Sequence, residues 1–476
     1  MPAALIVSAR RVMALIVLTV PVAARSQGAR TAATDRKAKE CVVEITGVVA
    51  NAVIASHGQS FKLLSGQYNT FYGGGFDARC EGTDQRLRSD SAEHWGDDKK
   101  LIVIGHVHYT EARIKLDANL MTYFTAEERL VAEGNVVGVT NSGTRFIGPR
   151  AEYLRVARGI RDKSRLTAEP RPDVWISPRD AGPGSKDSVH LQADRVISEN
   201  DSLVYAKGRV IIERPDLTAT SDSAFMDNGK EIVRLSLTPK VVGRGDRKFT
   251  LEGDFIDAFS KQRQVERVRS QGRAKATSED VTLTADTIDL RITDQKLQRA
   301  YAWGPTRALA RAKDQDITAD SIDVLMPAQS LREMRALRKA KAEGKPDTSK
   351  IISKETDWLR GDTIVAHFDS ASAGDTTKKP VVHQIVATGS TATPATSLRQ
   401  VAPSGVGKTE KPNLSYNTGL QIVVDFKDGA VENVNVKGHA TGLYLEVIPD
   451  SVRKQPPADT SARKAPTPKK PPEMRS

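Results

Sequence analysis

Hydrophobic and polar residues alternate along most of the chain, in short runs that are interrupted at regular places. In the stretch LTADTIDLRI, apolar side chains stand at Leu283 and Ala285, and again at Ile288, Leu290 and Ile292. This period of two predicts β-strands with one buried face. The phase slips by one residue between Ala285 and Ile288, which predicts a bulge or corner where the strand turns.

The same phrases return along the chain, which predicts a repeat architecture. Steps of 28, 32, 32 and 34 residues separate the aspartates from Asp194 to Asp320. Each unit has one Asp phrase and one Gly phrase, which predicts two bent strands per unit of about thirty residues, stacked with alternate side chains lining an interior. The Asp phrases contain Asp117, Asp194, Asp222, Asp254, Asp286, Asp320 and Asp362. The Gly phrases contain Gly105, Gly134, Gly208, Gly272, Gly304, Gly389 and Gly438.

The first 26 residues are typical of a secretory signal peptide. Arg10 and Arg11 precede the apolar run VMALIVLTVPV, and small residues follow, with cleavage expected after Ala24 or Ser26. The run is shorter than the roughly 20 apolar residues that a membrane span requires. The alternative is an uncleaved signal anchor. Either way the chain is exported, and residues 27–40 are expected to form a linker.

Export determines how charge and cysteine content are interpreted. The formal net charge of +12 favours an anionic partner, but export excludes nucleic acid. Part of the excess lies in residues 451–476, a Pro/Lys-rich tail that is expected to be disordered. Cys41 and Cys80 are the two cysteines of the chain, so an oxidising compartment predicts one disulfide, with two free buried thiols as the alternative.

Composition shifts divide the remaining chain. We expect an N-terminal β-jellyroll portion at 41–168, a Pro/Gly-rich linker at 169–187 and a second portion at 188–450. An insertion at 327–357 interrupts the second portion. Within it, Leu331, Met334 and Leu337 have helical spacing and basic neighbours, which predicts a basic helical excursion.

Several residues could carry chemistry. The aspartates Asp254, Asp286, Asp320 and Asp362, with Asp257, Asp289 and Asp323, could collect Ca²⁺ or act as paired carboxylates of a polysaccharide hydrolase. The favoured interpretation is structural, with carboxylates accepting backbone N–H bonds at the corners. His106 and His108 share a strand face and are expected to be exposed rather than metal-bound. The sequence contains no nucleophile elbow, zinc motif or catalytic triad, so we predict a non-enzymatic protein without cofactor or metal.

Taken together, the export signal and the coupled Asp and Gly phrases resemble the OstA-like family of periplasmic lipopolysaccharide-transport proteins. The resemblance covers most of residues 88–450. It implies an all-β fold, an elongated β-jellyroll or solenoid of stacked two-strand repeats. The segments that carry it are LDANLMTYFTAEERLVAEGNVVGV, LQADRVISENDSLVYAKGRVIIE and LTADTIDLRITDQKLQRAYAWGPTRAL, and more weakly LRGDTIVAHF with VHQIVATGSTAT.

The resemblance also implies a function, a periplasmic bridge whose apolar trough shields the acyl chains of lipopolysaccharide, or a related anionic glycolipid, on the way to the outer membrane. It implies as partners other jellyroll transport proteins, including copies of this chain, joined by edge-strand addition, and an outer-membrane assembly protein. The alternative is an exported structural or adhesive β-solenoid with a packed interior. The expected trough-lining residues are Val107, Val136, Val210, Leu283, Ile288, Leu290 and Val324.

Overall fold

The structure is a computed structural model, and the residues that it describes form thirty-three β-strands and no helix. The described ranges are 43–49, 52–54, 57–80, 83–176, 189–215, 217–244, 249–261, 264–278, 281–294, 296–312, 315–327, 330–344, 351–352, 354–369, 381–390, 395–405, 410–427 and 430–448. The strands are β1 Val43–Val49, β2 Ala52–Ile54, β3 His57–Lys62, β4 Tyr68–Gly73, β5 Phe76–Cys80, β6 Arg86–Ser89, β7 Ser91–Trp95, β8 Lys100–Thr110, β9 Ile114–Phe124, β10 Arg129–Thr140, β11 Arg145–Leu154, β12 Arg165–Glu169, β13 Asp173–Ile176, β14 Val189–Gln192, β15 Arg195–Glu199, β16 Leu203–Glu213, β17 Leu217–Asp227, β18 Ile232–Ser236, β19 Lys240–Gly243, β20 Thr250–Glu252, β21 Phe255–Lys261, β22 Gln264–Thr277, β23 Val281–Thr293, β24 Lys296–Ala312, β25 Gln315–Leu325, β26 Glu333–Gly344, β27 Trp358–Phe368, β28 Val382–Thr388, β29 Thr396–Ala402, β30 Asn413–Gly419, β31 Gln421–Lys427, β32 Ala430–Lys437 and β33 Thr441–Leu445.

These strands form one antiparallel ladder in chain order. A rung is one long bent strand, such as β10 or β24, or two short strands that meet at a corner, such as β6 and β7. Each rung pairs with the rung before it and the rung after it. With roughly twenty rungs at about 4.8 Å spacing, the ladder is about 100 Å long. The prediction of an all-β fold of stacked two-strand repeats is therefore confirmed.

Every rung bends near its middle, so the ladder has two leaves. In β10, residues 129–133 pair with β9 and β11 on one side of a bulge, and residues 136–140 pair with the same strands on the other side. We call the leaf that contains 129–133 the first leaf, and the leaf that contains 136–140 the second leaf. The predicted phase slip near Ala285 is such a corner, because the register of β23 with β24 shifts between Thr284 and Thr287.

The coupling of the Gly and Asp phrases has a steric cause at the corner. Gly208 has a φ of +79° and the next residue, Arg209, has a φ of +46°, so two left-handed residues form the bulge. The aspartate of the preceding rung packs directly on this glycine, because a Cβ added to Gly208 would lie 2.4 Å from Asp194 Oδ2. A side chain therefore fits poorly at this position for conformational and for steric reasons.

The edge of the fold opposite the corner has no backbone link between the leaves. The connection at residues 125–128 joins β9 to β10 within the first leaf, and the connection at 141–144 joins β10 to β11 within the second leaf. We call this edge the mouth. Among the described strands, every backbone pairing except the β1–β2 hairpin joins neighbouring rungs, and none crosses the mouth.

The predicted helical excursion near residue 331 is wrong. Residues Glu333–Gly344 form β26, which pairs with β25 and β27 on both leaves. Arg338 and Lys339 are its left-handed corner residues, with φ values of +63° and +49°. Residues 333–344 of the expected 327–357 insertion are therefore a regular rung of the ladder.

The ladder also continues past the expected linker at 169–187. Strand β12 pairs with β15, and β13 pairs with β14, so both leaves are continuous there, while residues 177–188 lie outside the described residues. The division into two jellyroll portions stays a prediction. The predicted signal peptide, the 27–40 linker, Cys41 and the 451–476 tail also lie outside the described residues. Cys80 takes part in a disulfide. Within the described part of the chain, no helix is long and apolar enough to cross a membrane.

Candidate lipid-binding interior

The seven residues predicted to line a trough all face the space between the leaves. Each is buried, and each belongs to a single hydrophobic cluster that extends from Phe76 in β5 to Val424 in β31. The fraction of each residue's surface that is exposed to solvent ranges from 0% to 8%. These residues are Val107, Val136, Val210, Leu283, Ile288, Leu290 and Val324.

The corners determine which side chains point inward. At a Gly corner the alternation is unchanged, because Ala132 and Val136 are four residues apart and both are buried, with the left-handed residues Gly134 and Asn135 between them. Val107 and Val210 are inward in the same way. At an Asp corner the alternation slips by one residue, because the buried residues Ala285 and Ile288 are three apart.

Large and small side chains alternate from rung to rung inside the first leaf. Ile288, Ala302, Ile322, Ala336, Ile364, Ala387 and Ile422 follow one another across the paired strands. All seven are almost fully buried. Ridges of isoleucine therefore alternate with furrows over alanine, and each ridge and furrow together span two rungs, which is one sequence repeat.

The interior formed by this cluster is lined by aliphatic and aromatic side chains. Its side chains contact one another in the structure, so an acyl chain would have to replace contacts between the two leaves. In such an exchange apolar surface stays out of water both before and after the acyl chain enters, so the net change in free energy is small. The leaves can move apart along the mouth without breaking a described strand pairing.

Three of the aspartates that suggested a calcium ladder, Asp257, Asp289 and Asp323, are buried and are bound by arginines. Arg234 Nε donates to Asp257 Oδ1 at 2.6 Å, and Arg299 Nε donates to Asp323 Oδ1 at 2.6 Å. Asp289 forms ion pairs with arginines of β22 and β23. Across the described ranges, no three His, Cys, Asp or Glu side chains are grouped as metal ligands would be.

The corner aspartates have two kinds of partner. Asp286 accepts hydrogen bonds from the Thr306 backbone N–H at 2.7 Å and from its hydroxyl at 2.6 Å, and these bonds hold the pKa of Asp286 below its ordinary value. This agrees with the structural interpretation. Asp194 instead accepts a hydrogen bond at 2.5 Å from the guanidinium of Arg209, which lowers its pKa.

The two histidines singled out in the sequence are exposed and far from a metal-site geometry. His106 Nδ1 lies 2.8 Å from Asp90 Oδ2, and His108 Nδ1 lies 2.6 Å from Asp117 Oδ1. Asp117 faces outward beside His108, and the corner position of β9 is occupied by Asn119, which packs on Gly134. Asp117 therefore does not have the corner role of Asp194.

A polar cluster at the mouth was missed in the sequence. The Tyr109 hydroxyl donates to Glu111 Oε2 at 2.7 Å from within the second leaf. From the first leaf, the Tyr153 hydroxyl donates to Glu111 Oε1 at 2.5 Å, and Arg155 Nε donates to Glu111 Oε2 at 3.0 Å. These bonds cross the mouth and connect the two leaves.

The cluster continues within the first leaf. Arg155 Nη1 donates to Glu128 Oε2 at 2.6 Å, and the Tyr123 hydroxyl donates to the same oxygen at 2.6 Å. Burial raises the pKa of Tyr109 and of Tyr153, as expected where water is largely excluded. One signal was present in the sequence, because Glu111 continues the inward alternation of Val107 and Tyr109.

The ends of the ladder present unpaired strand edges. In the last described rung, all five residues of β33 are exposed, including Leu443 and Tyr444. At the other end, β3 pairs only with β4 among the described strands, and Phe61 is exposed on it. Apolar side chains on an open edge are typical of strands that accept a further strand.

Comparison with known proteins gives a limited result. No protein-family model and no curated protein matches the chain. Among solved structures, the chain is similar to LptH, the LptA homologous periplasmic component of the conserved lipopolysaccharide transport device from Pseudomonas aeruginosa. The sequence identity is 17%, the match covers 27% of this chain and 96% of LptH, and the TM-score is 0.24. At this TM-score the likeness is partial, and the fold assignment depends on the strand pairing.

Proposed function

We propose that this chain is a non-enzymatic periplasmic lipid-binding bridge. Its interior would shield the acyl chains of lipopolysaccharide, or of a related anionic glycolipid, during transport to the outer membrane. The observation that carries the proposal is an apolar interior that is continuous from β5 to β31 and whose mouth no described strand pairing closes. The predicted signal peptide supports the periplasmic location.

The strand edges support the proposed partners. An edge such as β33, with Leu443 and Tyr444 exposed, can accept a strand from another jellyroll transport protein or from a second copy of this chain. The other edge, at β3, would remain free for the next unit, and the final unit would meet an outer-membrane assembly protein. Such strand addition would join units end to end.

The proposal is tested by photocrosslinking in cells. A photoreactive residue is placed at Leu290 or Val324, which face the interior, and at Arg291 as the outward control on the same strand as Leu290. Lipid adducts at the two interior sites and none at Arg291 are expected. Equal adducts at all three sites would contradict a conduit, because a nonspecific lipid contact would not distinguish the two faces.

A second candidate is an exported structural or adhesive β-solenoid. It is favoured by the close contact of the interior side chains, which form one cluster with exposures below 9%. Under this hypothesis a folded, exported protein gives no lipid adduct at Leu290 or Val324. The same experiment therefore separates the two candidates.

A further inference from the structure

The mouth is closed in two chemically different ways along the ladder. Around β8 to β12, polar and charged side chains meet there: Glu111, Arg155 and Glu128 with the hydroxyls of Tyr109, Tyr123 and Tyr153. We call these six residues the mouth clasp. From β24 onward the first-leaf side of the mouth is formed by partly buried apolar side chains, namely Leu297, Met326, Leu331, Phe368, Val382 and Phe426.

Hydrogen bonds and ion pairs hold the residues of the mouth clasp together on the inner side of the strands. The side chain of Glu111 is 9% exposed and that of Arg155 is 18% exposed, so the ion pair between them is largely shielded from water. A second contact crosses the mouth nearby, where Arg113 Nη1 donates to Asn200 Oδ1 at 2.8 Å. Arg161 Nη1 donates a hydrogen bond to the Arg155 carbonyl oxygen at 2.6 Å, which helps to hold Arg155 in position.

The two kinds of mouth differ in their response to an acyl chain. At an apolar mouth, a hydrocarbon chain replaces hydrocarbon side chains, and the exchange has a small net cost. At the clasp, the same chain would separate Glu111 from Arg155 and leave both charges against hydrocarbon without a partner, which is strongly unfavourable. A recess of about 250 Å³ borders the clasp, and its lining includes Glu111, Arg113 and Arg155.

We propose that the mouth clasp excludes acyl chains from the N-terminal part of the interior, so that lipid enters through the apolar mouth between β24 and β31. The proposal rests on the proposed lipid-binding function and adds to it where along the ladder the lipid is admitted. Val107 and Val136, although inward and apolar, lie in the excluded part. Leu290 and Val324 lie beside the admitting part.

The experiment measures lipid adducts at Val136 and Leu290 in the full chain, in cells, with and without the clasp. In the unmodified protein, adducts are expected at Leu290 and not at Val136. In Glu111→Leu/Glu128→Gln/Arg155→Leu, which removes the three charges of the clasp together, the yield at Val136 is expected to rise by about ten-fold or more, because the penalty for unpaired buried charge is gone. The yield at Leu290 is expected to stay the same.

Two controls keep the result interpretable. Glu127→Leu/Arg129→Leu removes an ion pair at the end of the same leaf that faces outward, and it should leave Val136 without adducts. If that variant impairs folding or export, Glu111→Gln/Glu128→Gln/Arg155→Met keeps the side-chain volumes and gives a second test in the same direction. Amide hydrogen exchange of β23 to β25 in each variant verifies that the distant rungs remain folded.

The outcomes separate the two proposals. Adducts at Leu290 with equal adducts at Val136 in the unmodified protein would overturn the exclusion by the clasp. Adducts at Leu290 with none at Val136 in both clasp variants would overturn it as well. No adduct at Leu290 in any folded variant would instead refute the lipid-binding function itself.

Discussion

Substitution of a corner glycine tests the steric account of the repeat. In Gly208→Ala, the added Cβ meets two separate obstacles. The backbone has a φ of +79°, which costs a residue with a Cβ about 1–2 kcal/mol. The Cβ would also lie 2.4 Å from Asp194 Oδ2 and 3.0 Å from Asp194 Cβ, so the aspartate must move, and such overpacking costs about 1–3 kcal/mol. The expected total is about 2–5 kcal/mol.

Two other glycines isolate the separate contributions. Gly159 has a φ of +77° but nothing within 4 Å of an added Cβ, so Gly159→Ala should cost only the conformational part, about 1–2 kcal/mol. Gly73 has neither a left-handed backbone nor a neighbour within 4 Å, so Gly73→Ala should change stability by less than about 0.5 kcal/mol. In the double variant Gly208→Ala/Asp194→Ala, the contact with the carboxylate at 2.4 Å is removed and only the Cβ of residue 194, at 3.0 Å, remains, so the destabilisation should fall toward that of Gly159→Ala.

Amide hydrogen exchange is the appropriate assay, because a long repeat array need not unfold in one cooperative step. The local free energy of opening is measured for the amides of β16 and β17, beside Gly208, and for the strands beside each control glycine. The reasoning is refuted if Gly208→Ala costs no more than Gly159→Ala. It is refuted equally if Asp194→Ala fails to relieve the defect.

Two further predictions concern an ion pair and the interior row. Arg86 Nε donates to the buried Asp77 carboxylate at 2.9 Å and lowers its pKa, so this pair stabilises the fold above the unfolded-state pKa of about 4 and ceases to do so as pH falls through the lower folded pKa. Melting temperatures between pH 5 and pH 2 should therefore fall less steeply in Arg86→Met than in the unmodified protein, and parallel curves would contradict this. In the interior row, Ile288→Ala should cost about 2–5 kcal/mol by local hydrogen exchange, and the swap Ile288→Ala/Ala302→Ile should recover part of that cost because the volume is conserved. A swap that is no better than the single change would show that the ridge at Ile288 cannot move to the neighbouring rung.

The repeat and its corners could be predicted because they depend on local rules. Alternation in LTADTIDLRI gives the strand, and the slip before Ile288 gives the corner, whatever the neighbouring rungs are. The inward position of Val210 follows from the alternation that Val204 and Ala206 begin, which continues unchanged through the corner at Gly208. For the same reason, the burial of the other predicted interior residues required no knowledge of the tertiary structure.

The strand β26 could not be predicted in the same way. The segment from Glu333 to Gly344 is rich in alanine, arginine, lysine and glutamate, which favour helices. Its corner at Arg338 and Lys339 contains no glycine, and its buried residues Met334, Ala336 and Ala340 are small or few, so the alternation of the strand is hard to recognise in the sequence. The open edges of β25 and β27 on both sides supply the backbone partners that make the strand more stable than the helix. This preference arises from the tertiary fold.

The mouth clasp depends on contacts between residues that are far apart in the chain. Glu111 and Arg155 are 44 residues apart, and their pairing requires that one lies at the end of the second leaf and the other at the end of the first. The assignment of connections to leaves follows from the corner positions, but the distance between the leaves does not. A charged residue in an inward phase, as at Glu111, is the sequence feature that marks such a position.

The antiparallel ladder restricts how this protein can change in length. One additional rung would reverse the chain direction for everything that follows and would move each later connection to the other side of its leaf. Two additional rungs, which are one repeat of about thirty residues, restore the direction and lengthen the ladder by about 9.6 Å. They also preserve the alternation of isoleucine ridges and alanine furrows. Duplication or loss of whole repeats can therefore adjust the span of the protein in fixed steps while both end surfaces remain the same, whereas gain or loss of a single strand cannot.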